Sequence, residues 1–348
     1  MKRAPSHPSV ERATRLLGSA KREAEQLAQA DLARRQAAST ILHPNEVSGE
    51  YDAGRLLTTT LRGAERPLTH DDLRAFSRNV SKVKKQFKAG ITAQAVIDLS
   101  LPADRERANT QIKMAVPVSL IGGRVHFITN AGPDSDRSRH HVHVEFLDFQ
   151  AAVAASPNDQ KKIGRMVAKG RLAFDCDCGR HTYWYRYIAT IGKYNFGRAE
   201  TGFPKIRNPK LHGVACKHVL RVMHIIQRDG NVQGKIAAQV LKAREVLDGK
   251  KLKAEKVKVA ELRAMADEQH KKRRSTTNLK TSDHKAAAAA LRKAKADMKK
   301  VAIDKAKPAA AKTSSSVRDK RIEKNARSLL DLGAITQQQY DQIVQGTK

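Results

Sequence analysis

The sequence predicts an α+β protein: a helical N-terminal region, a small antiparallel sheet with a metal-stapled strand, hairpin and helix module, and a basic helical C-terminal arm. Three observations carry this. Apolar residues recur at helical spacing up to about Leu99, alternate with period two from Ile112, and return to helical spacing after Cys216. All three cysteines fall in one short pattern. Lys and Arg number 67 against 35 Asp and Glu in 348 residues, a formal charge of +32 concentrated toward the C-terminal third.

Within residues 9–38, Val10, Leu16, Leu17, Leu27 and Leu32 lie between charges of both signs and predict one amphipathic helix. Thr69 and Asp72 form a capping-box-like start. Leu73, Phe76, Val80, Val83 and Phe87 then run at helical spacing to Gly90, where a helix can stop. A short helix follows Thr92 and ends before Pro102. Ile112, Met114, Val116 and Val118 alternate up to Gly122 and Gly123, and Val125, Phe127 and Thr129 alternate after them, which predicts a two-residue hairpin. Pro117 places the first of these strands at an edge. Residues 130–139 read as a turn-rich loop, and 141–149 as a third strand. Ser156, Pro157 and Asp159 announce a helix closed by Gly170, and 171–177 returns to strand.

Beyond residue 216 the pattern is helical. From 250 to 327, 25 Lys and Arg face 9 Asp and Glu, with almost no large apolar residue after Leu262 and Met265. That composition favours a solvated helix or a flexible arm over a core. Gly333 and Thr336 then punctuate a terminal helical hairpin around Leu329, Leu330, Tyr340 and Ile343. The expected division is therefore 1–90 helical, 91–247 mixed, 248–327 basic arm and 328–348 hairpin.

Cys176 and Cys178, 37 intervening residues, then Cys216 and His218 form C-x-C…C-x-H. Two thiolates at a strand end and a thiolate with an imidazole at a helix start supply four ligands for a tetrahedral ion, for which zinc is the natural occupant. With four protein ligands the site is closed, hence structural. An odd cysteine count leaves no disulfide scaffold and implies a reducing compartment.

The charge makes nucleic acid the default partner, bound without sequence preference through phosphate. Seven of the fifteen aromatic residues lie between the two halves of the cysteine pattern, interleaved with Arg180, Arg186, Lys193, Arg198, Lys205, Arg207 and Lys210. On a strand, Tyr183, Tyr185 and Tyr187 would share one face. Such a face can stack on single-stranded nucleic acid or form the small core around the metal site. Lys271, Lys272, Arg273 and Arg274 add a second basic cluster. His141, His143 and Glu145 form an H-x-H-x-E row, which is either an ordinary strand face or a second metal site of a nuclease or transposase accessory. No phosphate-binding loop, nucleophile elbow or H-E-x-x-H appears, so the expectation is no enzyme. No apolar run is long enough to span a bilayer, and Met1 to Pro8 carries no apolar h-region, so a soluble protein not secreted by a signal peptide is expected.

The pattern of Cys176, Cys178, Cys216 and His218 resembles the SWIM-type zinc finger, and by that resemblance these four residues take the ligand roles. SWIM modules are regarded as DNA-binding or protein-binding adaptors, and the insert here is longer than in their compact form. Residues 96–120, 130–149, 174–192 and 208–219 are similar to uncharacterised structural proteins of tailed bacteriophages. That similarity implies a virion or host-cytoplasm location and other virion proteins as partners. The terminal hairpin resembles short helical modules thought to mediate oligomerisation or attachment, which implies a homo-oligomer. The alternative function is an oligomerising adaptor whose basic arm docks on acidic protein surfaces.

Overall fold

The computed structural model describes residues 8–15, 17–48, 57–246, 252–271, 278–305 and 315–346. The chain forms two compact units, residues 1–279 and 280–348. The first carries a mixture of helices and antiparallel strands, as the change of hydrophobic period predicts.

The N-terminal region is helical but broken. Helix α1 (Pro8–Thr14) is followed by a 3-10 turn (Leu17–Ser19) and α2 (Ala20–Gln36), so the single helix expected over 9–38 divides around Gly18. Helix α3 (Pro44–Ser48) and a two-stranded ribbon, β1 (Thr58–Thr59) with β2 (Arg66–Pro67), precede α4 (His70–Gln86). The predicted capping box at α4 is present. Thr69 N donates to Asp72 Oδ2 at 3.0 Å, and Asp72 N donates to Thr69 Oγ1 at 3.4 Å. Arg66 grips the same buried carboxylate with two 2.7 Å bonds, and that bidentate pairing holds Asp72 down to about 2. The helix stops at Gln86, before Gly90.

Next come β3 (Ile91–Thr92), α5 (Ala93–Asp98) and α6 (Pro102–Gln111). Thr92 caps α5 by accepting from Ala95 N at 3.2 Å. Helix α6 is absent from the sequence-based expectation, although Pro102 at its first position is a recognised start signal. Strands β4 (Ala115–Ile121) and β5 (Arg124–Asn130) meet in the expected two-residue hairpin, with Gly122 at φ +51° and Gly123 at φ +83°. Strand β6 (Arg139–Phe146) ends sooner than expected, because residues 149–155 form α7 (Phe149–Ala155). Helix α8 (Gln160–Lys169) is capped by Asp159 and leads to β7 (Arg171–Cys176).

The aromatic insert corrects the expectation of a strand. Residues His181–Tyr185 form a π-helical turn continuing into α9 (Arg186–Ile191). Helix α10 (Lys217–Arg228) and α11 (Gly230–Glu245) follow, then β8 (Glu255–Lys256) and α12 (Val259–Lys271). The core continues past residue 248, where the basic arm was expected to open: Val257, Leu262, Met265 and Ala266 are buried.

The main sheet has the order β3-β7-β6-β5-β4-β8, all neighbours antiparallel. Strand β4 is therefore not an edge. Pro117 is accommodated because the register shifts between Pro117 and Ser119, and β8 pairs only with Ser119 and Leu120. Beside the proline, the Gln269 side chain completes the ladder, donating to Ala115 O at 2.9 Å and accepting from Ala115 N at 2.8 Å.

By register, Phe127, Val142, Val144, Phe174 and Cys176 share one face of the sheet, and His126, His141, His143 and Asp175 share the other. Helix α10, buried along nearly its whole length, packs against β4, β5, β6 and β7. In the second unit, α13 (Ser282–Lys305) and α15 (Gln337–Gln345) both pack on α14 (Ser315–Asp331). Thr336 and Gln339 cap α15 reciprocally. Among the described residues no helix is long and apolar enough to cross a membrane.

Candidate metal centre

Strand β7 delivers Cys176 at its last position, and the turn after it delivers Cys178. Cys216 is the N-cap of α10, and His218 lies in that helix's first turn. The four residues are buried and their ligand atoms lie within 4.8 Å of one another. A tetrahedral ion with metal–sulfur bonds of about 2.3 Å separates its sulfur ligands by about 3.8 Å, so the donor set fits such an ion. Cys176 Sγ is 4.0 Å from His218 Nδ1. Among the described residues this is the one group of three or more His, Cys, Asp or Glu residues close enough to hold a metal.

The backbone prepares the site for negative sulfur. Burial raises the Cys216 thiol, but its sulfur neighbours and the backbone N–H groups of His218 and Val219 outweigh burial and bring it well below the ordinary value. Those N–H groups are the otherwise orphaned donors of the α10 N-terminus. Cys178 Sγ accepts from His181 N at 3.3 Å, which the helical turn after Gly179 makes possible. Burial and the two neighbouring thiols push Cys176 up, so in the absence of a cation three thiolates cannot share this space. Burial keeps His218 neutral, as a ligand imidazole must be.

Sequence reasoning missed the supporting shell. His140 lies against His218 and bonds Asp177 Oδ1 through Nδ1 at 2.9 Å. Asp177 also accepts from His141 N at 3.1 Å. Burial works against the His140 cation, yet the bond to Asp177 raises its pKa above the ordinary histidine value. The available signal was Asp177 itself, placed between two candidate ligand cysteines. A cleft of about 390 Å³ opens beside the cluster, lined by Cys178, His140 and His218 among others. Carboxylates and cations both line its wall, and some of them pair. Asp104, for example, bonds Arg107 at 2.7 Å and Arg180 at 3.1 Å, and accepts from the Tyr185 hydroxyl.

The cations expected to contact nucleic acid divide into two sets. Arg186 is a correction: it is buried, with Nη1 2.7 Å from Asp31 and Nε 2.9 Å from Asp175, so it ties α2 to β7 and presents no edge to phosphate. Arg180 stacks over Trp184 at 3.4 Å, Arg198 pairs with Asp31, and Lys205 is buried. By contrast Lys193, Arg207, Lys210 and Lys271 are exposed and have no ion pair among the described residues. Lys272, Arg273 and Arg274 lie outside the described residues. Of the aromatic residues, Tyr185, Tyr187, Tyr194 and Phe203 are buried, whereas Tyr183 is exposed.

The H-x-H-x-E row does not converge either. Glu145 pairs with Arg124 at 2.7 Å, while His141 Nδ1 meets His126 Nε2 at 2.9 Å and His143 stacks on His126. The comparisons with known proteins supply no analogue for this arrangement: no family model, curated protein or solved structure matches the chain.

Proposed function

We propose that the chain is a non-catalytic, zinc-stabilised structural protein that associates with nucleic acid. The observation that carries the reading is the convergence of Cys176, Cys178, Cys216 and His218, buried and turned toward one point from two distant segments. Four protein ligands leave no position for substrate water, which suits a structural ion. Zinc is favoured over other cations by three thiols and one imidazole in a tetrahedral set. The formal charge of +32 and the exposed Lys193, Arg207, Lys210 and Lys271, without an ion pair among the described residues, support phosphate contact. The resemblance of the ligand pattern to SWIM modules, and of the sequence stretches noted above to tailed-phage structural proteins, is what favours a virion component, found in the particle or in the host cytoplasm during assembly.

Two measurements test this. Gently purified protein contains about one zinc per chain, and less than about half an equivalent removes the ligand assignment. Electrophoretic shifts with any DNA or RNA weaken steeply as salt rises, and no shift at low salt removes the nucleic-acid assignment.

A second reading, an oligomerising adaptor, is favoured by the second unit. Leu332 is 61% exposed, and α15 buries none of its side chains. A monomer by sedimentation would count against it.

A further inference from the structure

A second cleft, of about 580 Å³, lies among α5, α8, α10 and α11. Arg165 and Lys169 from α8 and Arg228 from the last turn of α10 line it, together with the amides of Gln94, Gln227 and Gln233. The remaining lining residues are small or hydroxylic, and no carboxylate is among them. The three cations are exposed and have no ion pair or hydrogen bond among the described residues. This contrasts with the cleft beside the candidate metal centre, which carboxylates and cations line together.

Two carboxylates on the flanking elements, Asp98 and Asp229, already hold hydrogen bonds. Asp98 accepts from Gln94 Nε2 at 2.8 Å, and Asp229 caps α11 by accepting from Asn231 N at 3.0 Å and Val232 N at 3.2 Å. Gln233 Nε2 is likewise taken, donating to Ile226 O at 2.9 Å. Gln227 Nε2 is different: it is buried and has no acceptor among the described residues. A buried amide donor without a partner is costly, and Gln227 is one of the residues that line the cleft.

We propose that this cleft binds a phosphate-bearing small molecule of nucleotide size. Arg165 and Lys169, four residues apart, stand one turn apart on the same face of α8, so both can reach one phosphoryl group. Arg228 faces them from α10 with a planar donor pair suited to phosphate oxygens. The volume lies within the range of small-molecule sites, about 300–1,000 Å³, and exceeds what a lone phosphate fills. This inference does not rest on the nucleic-acid reading, since it concerns a walled cleft and not the overall charge.

The test is calorimetric titration of the full, metal-loaded chain at physiological salt, with ATP in one arm and inorganic phosphate in the other. The cleft variant is Arg165→Gln with Arg228→Gln. The control, Lys84→Gln with Lys85→Gln on α4, removes the same charge elsewhere. Saturable one-to-one binding of ATP is expected, weakened about tenfold or more in the cleft variant and unchanged in the control. Lys169→Gln, a single exposed change, shows the same loss on a smaller scale. If phosphate also saturates, the phosphoryl group suffices; if ATP alone does, the nucleoside contributes too. Absence of saturation with both probes, no loss in the cleft variant, or equal loss in variant and control overturns the proposal.

Discussion

His140 packs on His218 with ring centroids 4.1 Å apart and planes inclined by 37°, while its Nδ1 holds Asp177 Oδ1 at 2.9 Å. The relationship fixes the candidate ligand imidazole from one side and ties it to the chain between Cys176 and Cys178. Removing such a support costs metal affinity without removing a ligand. Asp177→Asn and His140→Ala are therefore expected to lower metal affinity by about 10- to 100-fold, measured by competition with a chelator. Unchanged affinity in both would show that the pair merely fills space.

Loss of a ligand has a larger effect. Cys216→Ser removes a thiolate from the N-cap of α10, and Cys176→Ser removes one from the end of β7. Both variants should lose the metal and unfold at lower temperature than the parent, and a chelator should shift the parent down by a similar amount. A parent whose melting is indifferent to chelator would argue against a folding role for the ion.

Arg186 joins Asp31 and Asp175 in a site with little access to water. Arg186→Met removes the cation that joins the two carboxylates, leaving Asp31 with Arg198 and Asp175 with His181. A loss of about 1–3 kcal/mol is expected by denaturant titration. Arg207→Met, at an exposed position, should change stability by less than about 0.5 kcal/mol.

Three histidines set a pH dependence. Burial pushes His126 well below its ordinary value and lowers His141 and His143 as well. Glu23, Asp175, Asp177 and Arg139 face this group, and the three carboxylates stay ionised below their usual range. A base whose pKa is depressed on folding binds fewer protons in the native state, so stability falls as pH drops through the unfolded value of about 6.5. His140, which is raised, opposes this as a single group. Denaturant midpoints should therefore fall as pH is lowered from about 7.5 to about 5.5. The slope should lessen in His126→Gln.

Gly122 and Gly123 both carry positive φ in the β4–β5 turn. A Cβ at Gly122 meets no neighbour, whereas one at Gly123 would lie 2.6 Å from Phe149 Cγ. Gly122→Ala should cost about 1 kcal/mol, the backbone term alone, and Gly123→Ala distinctly more. Equal melting temperatures would contradict the close approach of α7.

The sequence by itself determined the local features. Thr69 with Asp72, Thr92, Asp159 and Thr336 mark helix starts because their side chains bond backbone within three residues. The glycine pair fixes the hairpin for a similarly local reason. The four candidate ligands were legible because metal chemistry restricts residue types and short spacings. Other features needed distant partners. The alternating aromatics of residues 183–187 suit a strand equally well, and became helical where Cys178 accepts from the turn that follows it. Pro117 could enter an interior strand only because a bulge and the Gln269 side chain, 152 residues away, repair the ladder. Arg186 reads as a nucleic-acid contact until Asp31 and Asp175 are seen beside it. Only the tertiary structure decided which cations are neutralised inside and which face water, because Coulomb pairing depends on distance in space and the sequence records only order along the chain.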